Sequence, residues 1–333
     1  MVEDYRAQTT RRPPICVVTA QGDVTADRVI LELNRIDADV LRIDLADFPH
    51  RARLDATASG AGWTGTLTAH GRSVRLEEIS AVWWWHPTPA TVEAGTSAAE
   101  SEWASREANA GLAGVLAALD CRHVNHPALT HAAQNKADVL PQAGRHGLNV
   151  PATWIGNHPA SAVGFAATSP HGTVCKSLVS PGIAYPDGSH GAFYTRPVEV
   201  SELDDSIALT AHQLQNAIVK QFEVRLVVVG SEMYAARIDA HSDAARADFR
   251  ADYEALTYRV VDVPDTVRKG VAGLMDHYGL LYAAIDLLVD PEDEWWLIDL
   301  NPAGQHDWLQ KELPGLTISA GIANLLTRPL ARP

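Results

Sequence analysis

Three features of the sequence predict a mixed α/β fold made of more than one domain. A strand, a helix and a second strand (Ile15–Thr19, a helix from about Thr25 to Leu33, and Asp39–Asp44) follow one another near the start, the order of a parallel α/β unit. Two later pairs of apolar and β-branched runs read as antiparallel hairpins: Ile218–Gly230 with Met233–Asp239, and Leu281–Val289 with Trp295–Leu300. Finally, 333 residues are enough for two or three domains sharing a continuous core, and 46% hydrophobic with 20% charged residues is globular rather than disordered composition.

In order along the chain, residues 1–13 read as a polar tail. Thr25 supplies a hydroxyl to cap the first helix. Trp63–Ala69 and Ser73–Leu76 turn around Gly71 as a hairpin, and Val82-Trp83-Trp84-Trp85 is a strand whose tryptophans must alternate between faces. Ala98–Leu119 is a long helix with Trp103, Ala110, Leu112 and Val115 at helical spacing. Val124-Asn125-His126-Pro127 is held extended by its proline, and Leu129–Gly147 is a further helical piece containing Asn135-Lys136. The pattern puts a first boundary at Leu148–Trp154. Gly172–Leu178 is a strand with Lys176 embedded in it, Pro181–Gly191 a loop rich in breakers, and Phe193-Tyr194-Thr195 a return strand. The helix Asp265–Tyr278 stops at Gly279, and Thr317–Leu326 is a closing helix.

Charge and cysteine usage narrow the function classes. A net charge of -14 argues against non-specific nucleic-acid binding, which needs clustered Lys and Arg. Cys16, Cys121 and Cys175 sit in or beside apolar runs without metal-type spacing, as buried thiols of a reducing compartment do. No apolar run is long enough to span a bilayer and no signal-peptide pattern opens the chain, so a soluble cytoplasmic protein is expected. A lone Gly22 without GxGxxG, and the lack of a P-loop, an HExxH motif or a Gly-x-Ser-x-Gly elbow, remove the commonest nucleotide, zinc and serine-nucleophile architectures.

What remains is an unusual set of polar residues inside strands. Asp299 and Asn301 are two apart and share a face, and Asp286 on the partner strand can face them. Two carboxylates and an amide suit magnesium; the rival is plain strand-edge polarity, and the hairpin alone does not separate the two. Lys176 lies between Val174-Cys175 and Leu178, where an ammonium is costly without an anion. It reads either as a phosphate contact or, favoured by pattern alone, as an edge-strand lysine pointing to solvent. Lys136, on a polar helical stretch, reads by itself as a solvated lysine. Arg225 and Arg237 occupy the two strands of the central hairpin and project to one side if it turns at Ser231. Their forks suit phosphoryl oxygens, and pairing with Glu223 or Asp239 is the alternative.

Taken together, and in this order, several segments resemble the ATP-grasp ribosomal-peptide maturases, the macrocycle-forming ligases of the microviridin or graspetide type. They are Arg42-Ile43-Asp44-Leu45-Ala46-Asp47-Phe48-Pro49, Ser105-Arg106-Glu107-Ala108 leading to Gly114-Val115-Leu116, and Val124-Asn125-His126-Pro127. Asn135-Lys136, Gly147-Leu148-Asn149-Val150-Pro151-Ala152-Thr153, Phe222-Glu223-Val224-Arg225, Ile285-Asp286 and Asp299-Leu300-Asn301-Pro302-Ala303-Gly304-Gln305 complete the set. The resemblance implies an ATP-grasp fold with an N-terminal α/β domain (1–127), a central lid subdomain (128–217) and a C-terminal ATP-binding subdomain (218–333). It implies ATP between two antiparallel sheets, with Lys136 and Lys176 on phosphates and an adenine hinge at Gln215-Asn216-Ala217-Ile218. Arg225 and Arg237 would steady the γ-phosphate and an acyl phosphate, and Asp286, Asp299 and Asn301 would hold magnesium. The chain departs from the family pattern at His86, where arginines precede the proline, at Asn216, where an acidic residue is usual, and at His306, where an aromatic is common.

The activity so implied is ATP-dependent joining of Asp or Glu side chains of a ribosomal precursor peptide to Ser or Thr hydroxyls, or to Lys amines, with esters favoured. The precursor's leader would dock near Glu199–Asp205 or Ala244–Leu256, Pro181–Gly191 would act as a lid, and homodimers occur among such proteins. Two rivals stand beside this reading: an ATP-grasp ligase adding free amino acids to a protein or small acid, and a catalytically dead peptide-binding relative.

Overall fold

The computed structural model describes residues 12–329 except 94, 96, 180–181, 186–188, 194 and 243–251. Residues 1–11 of the expected tail lie outside the described residues. So do parts of three segments singled out in the sequence, 181 and 186–188 of the expected lid, 194 of the expected return strand and 244–251 of one expected leader-docking region. The chain is mixed α/β, as expected, and divides into two compact units. One comprises residues 1–128, 305–307 and 317–333; the other comprises 129–304 and 308–316. The passage from one to the other therefore falls at 128, not at Leu148–Trp154. The closing helix clusters with the N-terminal residues rather than with 218–316.

The first unit begins with the predicted strand–helix–strand: β1 (Ile15–Thr19), α1 (Val24–Arg35) and β2 (Val40–Ile43). The cap of α1 is Asp23 rather than Thr25, since a carboxylate oxygen of Asp23 accepts the Ala26 N–H at 2.8 Å. Next comes a three-stranded antiparallel sheet, β3 (Ala52–Ser59), β4 (Gly62–Ala69) and β5 (Arg72–Arg75), of which β3 is unsignalled in the sequence because half of its residues are polar and its apolar ones are chiefly alanine. Then β6 (Ala81–Trp85), α2 (Ala98–Ala117) and β7 (Arg122–Val124) complete a parallel sheet of order β2-β1-β6-β7. A parallel strand inside such a sheet is covered on both faces, and every residue of β1 is buried. Leu112, Val115 and Leu116 of α2 join Cys16, Val18 and Val82 in one core cluster, but Trp103, expected on that face, is 58% exposed. Trp83 and Trp85 are buried together, and Trp84 on the other face is half-buried, its indole N–H donating to His123 Nδ1 at 3.2 Å.

In the second unit the helical piece expected at Leu129–Gly147 is split. Its two parts are α3 (Pro127–Ala133) and α4 (Lys136–Arg145), and the Asn135 side chain caps α4 by accepting the Ala137 N–H at 3.2 Å. This puts Lys136 at the first position of α4. β8 (Thr153–Gly156), α5 (Pro159–Ala167) and β9 (Thr173–Lys176) follow. The described part of the expected loop at Pro181–Gly191 forms a hairpin, β10 (Gly182–Ala184) with β11 (His190–Ala192). The return strand, β12 (Arg196–Val198), starts after the Phe193–Thr195 segment assigned to it. With β13 (His212–Asn216) these form an antiparallel sheet of order β12-β9-β13-β8, in which β9 is an inner strand.

The largest sheet is antiparallel, order β16-β15-β14-β17-β18. It consists of β14 (Phe222–Val229), β15 (Glu232–Ala240), β16 (Leu256–Val260), β17 (Tyr282–Val289) and β18 (Trp295–Asn301), with α6 (Asp265–Tyr278) between β16 and β17. Helices α4 and α6 pack on one face, against Phe222, Val224, Leu226, Ile285 and Leu287. Gly279 ends α6 at φ 64°, and the Leu280 N–H reaches back to the Met275 carbonyl at 2.9 Å, the closure a left-handed glycine permits. Two short C-terminal helices finish the chain, α7 (Asp307–Glu312) and α8 (Ile318–Thr327), with α8 packed on α1 in the first unit.

Candidate active site

The face of the five-stranded sheet away from α4 and α6 carries a row of charged side chains. Strand register pairs Arg225 with Asp286 and Asp286 with Asp299, so one cross-strand row runs over β14, β17 and β18 with all three on the same face. Asn301 shares that face two residues beyond Asp299. The row depends on a β-bulge: Asp286 opposes Asp299 while Leu287 opposes Leu297, leaving Ile298 as the extra residue on β18. The bulge lets Ile298 and Asp299 both reach the cavity side, while Leu297 and Leu300 stay in the core.

That cavity has a volume of about 440 Å³, within the range of small-molecule sites. It gathers Lys136, Lys176, the segment Gln215–Ile218, Asp286, Asp299 and Asn301 from separate elements. Contrary to the edge-strand reading, Lys176 lies on an inner strand and is only 9% exposed. Its ammonium donates to the bulged carbonyl of Ile298 at 2.8 Å and to Gln215 Oε1 at 3.5 Å. Lys136 is no solvated lysine either. Its Nζ donates to the Ser177 carbonyl at 3.1 Å and stands 3.6 Å from Asp299 Oδ1. Two ammonium groups therefore converge on one wall, held mainly by carbonyl oxygens, the kind of partner an anion readily replaces.

Arg225 lies behind Asp286, 8% exposed, donating to Asp286 Oδ1 at 2.7 Å. Burial works against its charge, yet Asp286 beside it and Asp299 beyond it outweigh that and hold the guanidinium above its usual range. Arg237 is not brought to this site. The hairpin does turn at Gly230-Ser231, but register places Arg237 opposite Val224 and Arg225 opposite Ala236, so the two arginines project to opposite faces. The Arg237 guanidinium stacks 3.7 Å from the Phe222 ring centroid and donates through Nε and Nη2 to the Asp239 carboxylate.

The donor set at Asp286, Asp299 and Asn301 fits magnesium on its chemistry. Asp286 has one oxygen on Arg225, and Asn301 Oδ1 accepts a single bond, from the Ala303 N–H at 3.0 Å, so each retains acceptor capacity. Few protein oxygens with room for water and phosphate is the arrangement magnesium takes. Among the described residues no three His, Cys, Asp or Glu side chains are gathered in the way a zinc centre requires. In the hinge segment, the Asn216 and Ala217 N–H groups are engaged by the carbonyls of Ala152 and Gly172, and the side chains of Gln215 and Asn216 bond Thr153 and Ser169.

Lys220, and Glu223 beyond its place in the Phe222–Arg225 segment, were not among the candidate site residues, yet they line the same cavity and pair at 2.6 Å, with Glu223 7% exposed. The signal was available, since Glu223 has the strand parity of Arg225. Leu288 and Ile298, apolar lining residues, carried no signal beyond core character.

A family model described as the MvdD pre-ATP grasp domain matches residues 14–131. A RiPP-associated ATP-grasp ligase from Chryseobacterium gregarium, solved with ADP and a leader and core peptide, is similar with a TM-score of 0.85 and 29% identity, over 94% of this chain and 96% of that one. Macrocyclase MdnC from Microcystis aeruginosa, bound with precursor peptide MdnA, gives 0.82 and 26% over 94% and 99%. Macrocyclase MdnB from the same organism gives 0.73 and 25% over 94% and 98%. No curated protein matches the chain. With an ATP-grasp architecture over nearly its whole length, and a match to a microviridin-type pre-ATP-grasp domain at residues 14–131, the chain is an ATP-dependent ligase, similar to the ATP-grasp ligases of ribosomal peptides.

Proposed function

We propose that this ligase uses ATP and magnesium to join side chains within a ribosomally made precursor peptide. Asp or Glu carboxylates would be activated and linked to Ser or Thr hydroxyls as esters, or to Lys amines as amides, with esters favoured. The observation that carries the reading is the convergence of Lys136, Lys176, Asp286, Asp299 and Asn301 on one cavity, backed by the buried Arg225. The peptide substrate is supported by relatives at 29% and 26% identity whose structures contain leader and core, or precursor, peptides.

When bound, magnesium-ATP supplies the γ-phosphoryl group, which a substrate carboxylate oxygen takes as an acyl phosphate with release of ADP; the hydroxyl or amine then displaces inorganic phosphate. This chain's residues serve positioning and charge neutralisation, and no protein nucleophile is required. Lys136 and Lys176 hold phosphate oxygens. Asp286, Asp299 and Asn301 hold the metal. Arg225, fixed by Asp286, faces the negative charge that grows on the transferred group. The segment Gln215–Ile218 would border the base. Arg237, on the opposite face, has no part. The leader would dock near Glu199–Asp205, where Glu199, Asp204 and Asp205 are exposed and Glu202 pairs with Arg196 at 2.9 Å. No helix among the described residues is long and apolar enough to cross a membrane.

The test is mass spectrometry of a precursor co-expressed with the protein. One water is lost per ring formed, and Asp299→Ala is expected to abolish the loss. An unmodified precursor with the unsubstituted protein, or full modification by the Asp299→Ala protein, would overturn the reading. Incubation with free glutamate in place of precursor separates the amino-acid-adding alternative.

A further inference from the structure

The phenol of Tyr282 plays no part in the site as described, yet it is 1% exposed and lies on the site face of the sheet, four residues before Asp286 on β17. Its hydroxyl donates to the Gly304 carbonyl at 2.5 Å, inside the protein. Gly304 closes the turn that begins at Asn301: the Gly304 N–H reaches the Asn301 carbonyl at 3.2 Å, and the Ala303 N–H reaches Asn301 Oδ1 at 3.0 Å. The turn rests on Arg225 so closely that a Cβ on Gly304 would lie 2.9 Å from Arg225 Nη2 and 2.5 Å from the Ala284 Cβ. From the opposite side Arg225 is held by Asp286. The guanidinium thus meets a carboxylate at Nη1 and the backbone turn at Nη2, and the Tyr282 phenol ties that turn down.

We propose that Tyr282 is a positioning residue: by anchoring the Asn301–Gly304 turn through the Gly304 carbonyl, it fixes where the Arg225 guanidinium points. Burial pushes the phenol well above its ordinary range and Arg225 only partly offsets this, so the group remains a protonated donor at every working pH. Phenylalanine there would keep the ring in the core, lose the anchor, and let the turn and the guanidinium shift together.

The proposal rests on Arg225 meeting the γ-phosphate, and the test keeps the two ideas apart. Binding of ADP and of an imido-linked ATP analogue, each with magnesium, is measured by calorimetry for the unsubstituted, Tyr282→Phe and Arg225→Met proteins. Arg225→Met is expected to weaken the analogue much more than ADP. Tyr282→Phe is expected to weaken the analogue roughly three- to tenfold, the effect of one neutral hydrogen bond, and to leave ADP within about twofold. In turnover, Tyr282→Phe lowers kcat with KM for the peptide unchanged, a split that general loss of stability would not give. If Arg225→Met separates the two nucleotides but Tyr282→Phe weakens both alike, or neither, the positioning role is wrong. If Arg225→Met itself does not separate them, the γ-phosphate role of Arg225 fails and this inference falls with it.

Discussion

Removing Asp286 leaves a charge stranded inside the protein. Arg225 is 8% exposed and donates to Asp286 at 2.7 Å. Breaking a buried pair by deleting one partner costs about 3–5 kcal/mol, because the other charge stays uncompensated. Asp286 has 24% of its side chain exposed and Asp299 also acts on Arg225, so Asp286→Ala belongs at the lower end, about 3 kcal/mol. For a unit of the size of 129–304 this corresponds to a melting temperature lower by roughly 6–12 °C. Replacing both members by apolar groups, Arg225→Met with Asp286→Leu, is expected to recover most of that stability, since neither charge is then buried, while ligase activity stays lost. Scanning calorimetry of the two variants, beside ADP release in the presence of a precursor, makes the comparison. An Asp286→Ala protein as stable as the parent, or a double variant less stable than the single one, would refute the argument that the pair is a buried, mutually dependent unit.

Three further expectations follow from the geometry. Lys176→Met removes an ammonium that is buried against the Ile298 carbonyl, so nucleotide affinity measured by calorimetry is expected to drop at least tenfold while the melting temperature moves little. Gly304→Ala drives a methyl group to 2.5 Å from Ala284 and 2.9 Å from Arg225, an overpacking cost of about 1–3 kcal/mol, visible as a lower denaturant midpoint together with reduced kcat. Burial opposes the Asp47 charge, but the Asp44 N–H, Arg51 and His70 hold its carboxyl below the ordinary value of 3.8. The folded protein thus binds that proton less readily than the unfolded chain, and the stabilisation is present above 3.8 and lost as pH falls through the folded-state value. Asp47→Asn is expected to flatten the acid limb of stability against pH, and an unchanged limb would remove Asp47 from the account.

How much of this was legible in the sequence depended on periodicity and on parity. Asp265–Tyr278 could be read to the residue because the apolar spacing and Gly279 agreed on its end. Asp286, Asp299 and Asn301 were readable because an acidic or amide group inside an apolar strand is conspicuous. Lys176 was misplaced as an edge residue because its neighbours say nothing about which strand pairs beside it, and inner position is a property of the whole sheet. The split at Asn135 was missed because helix propensity continues through it, whereas a capping side chain ends one helix and starts another. Arg237 failed for a sharper reason. Its side was fixed by the parity of the hairpin register, and it lies 12 positions after Arg225, an even offset that would match faces only on one uninterrupted strand. The Ile298 bulge left no sequence mark at all.

The bulge also explains how two carboxylates can stand opposite each other. Directly facing like charges destabilise a strand pair, and Asp286 and Asp299 are such a pair. Their ends of the row are closed by cations. Arg225 is bonded to Asp286 on one side, and Lys136 stands 3.6 Å from Asp299 on the other, giving the order plus, minus, minus, plus across three strands and a helix start. Were residue 298 paired regularly instead of bulged out, it would take the place opposite Asp286, and the alternation of β18 would put an aliphatic group in the row and carry Asp299 to the core face. The carbonyl freed by the bulge is the one that holds Lys176. The bulge thus serves two residues of the cavity: it absorbs Ile298 so that Asp299 stays opposite Asp286, and it frees the carbonyl that Lys176 bonds. Deleting Ile298 makes Asp299 follow Leu297 directly and keeps it opposite Asp286, so the variant is expected to retain the row of charges and to lose only the carbonyl partner of Lys176. Calorimetry should show nucleotide affinity falling no further than in Lys176→Met, and a complete loss of binding would refute this account of the bulge.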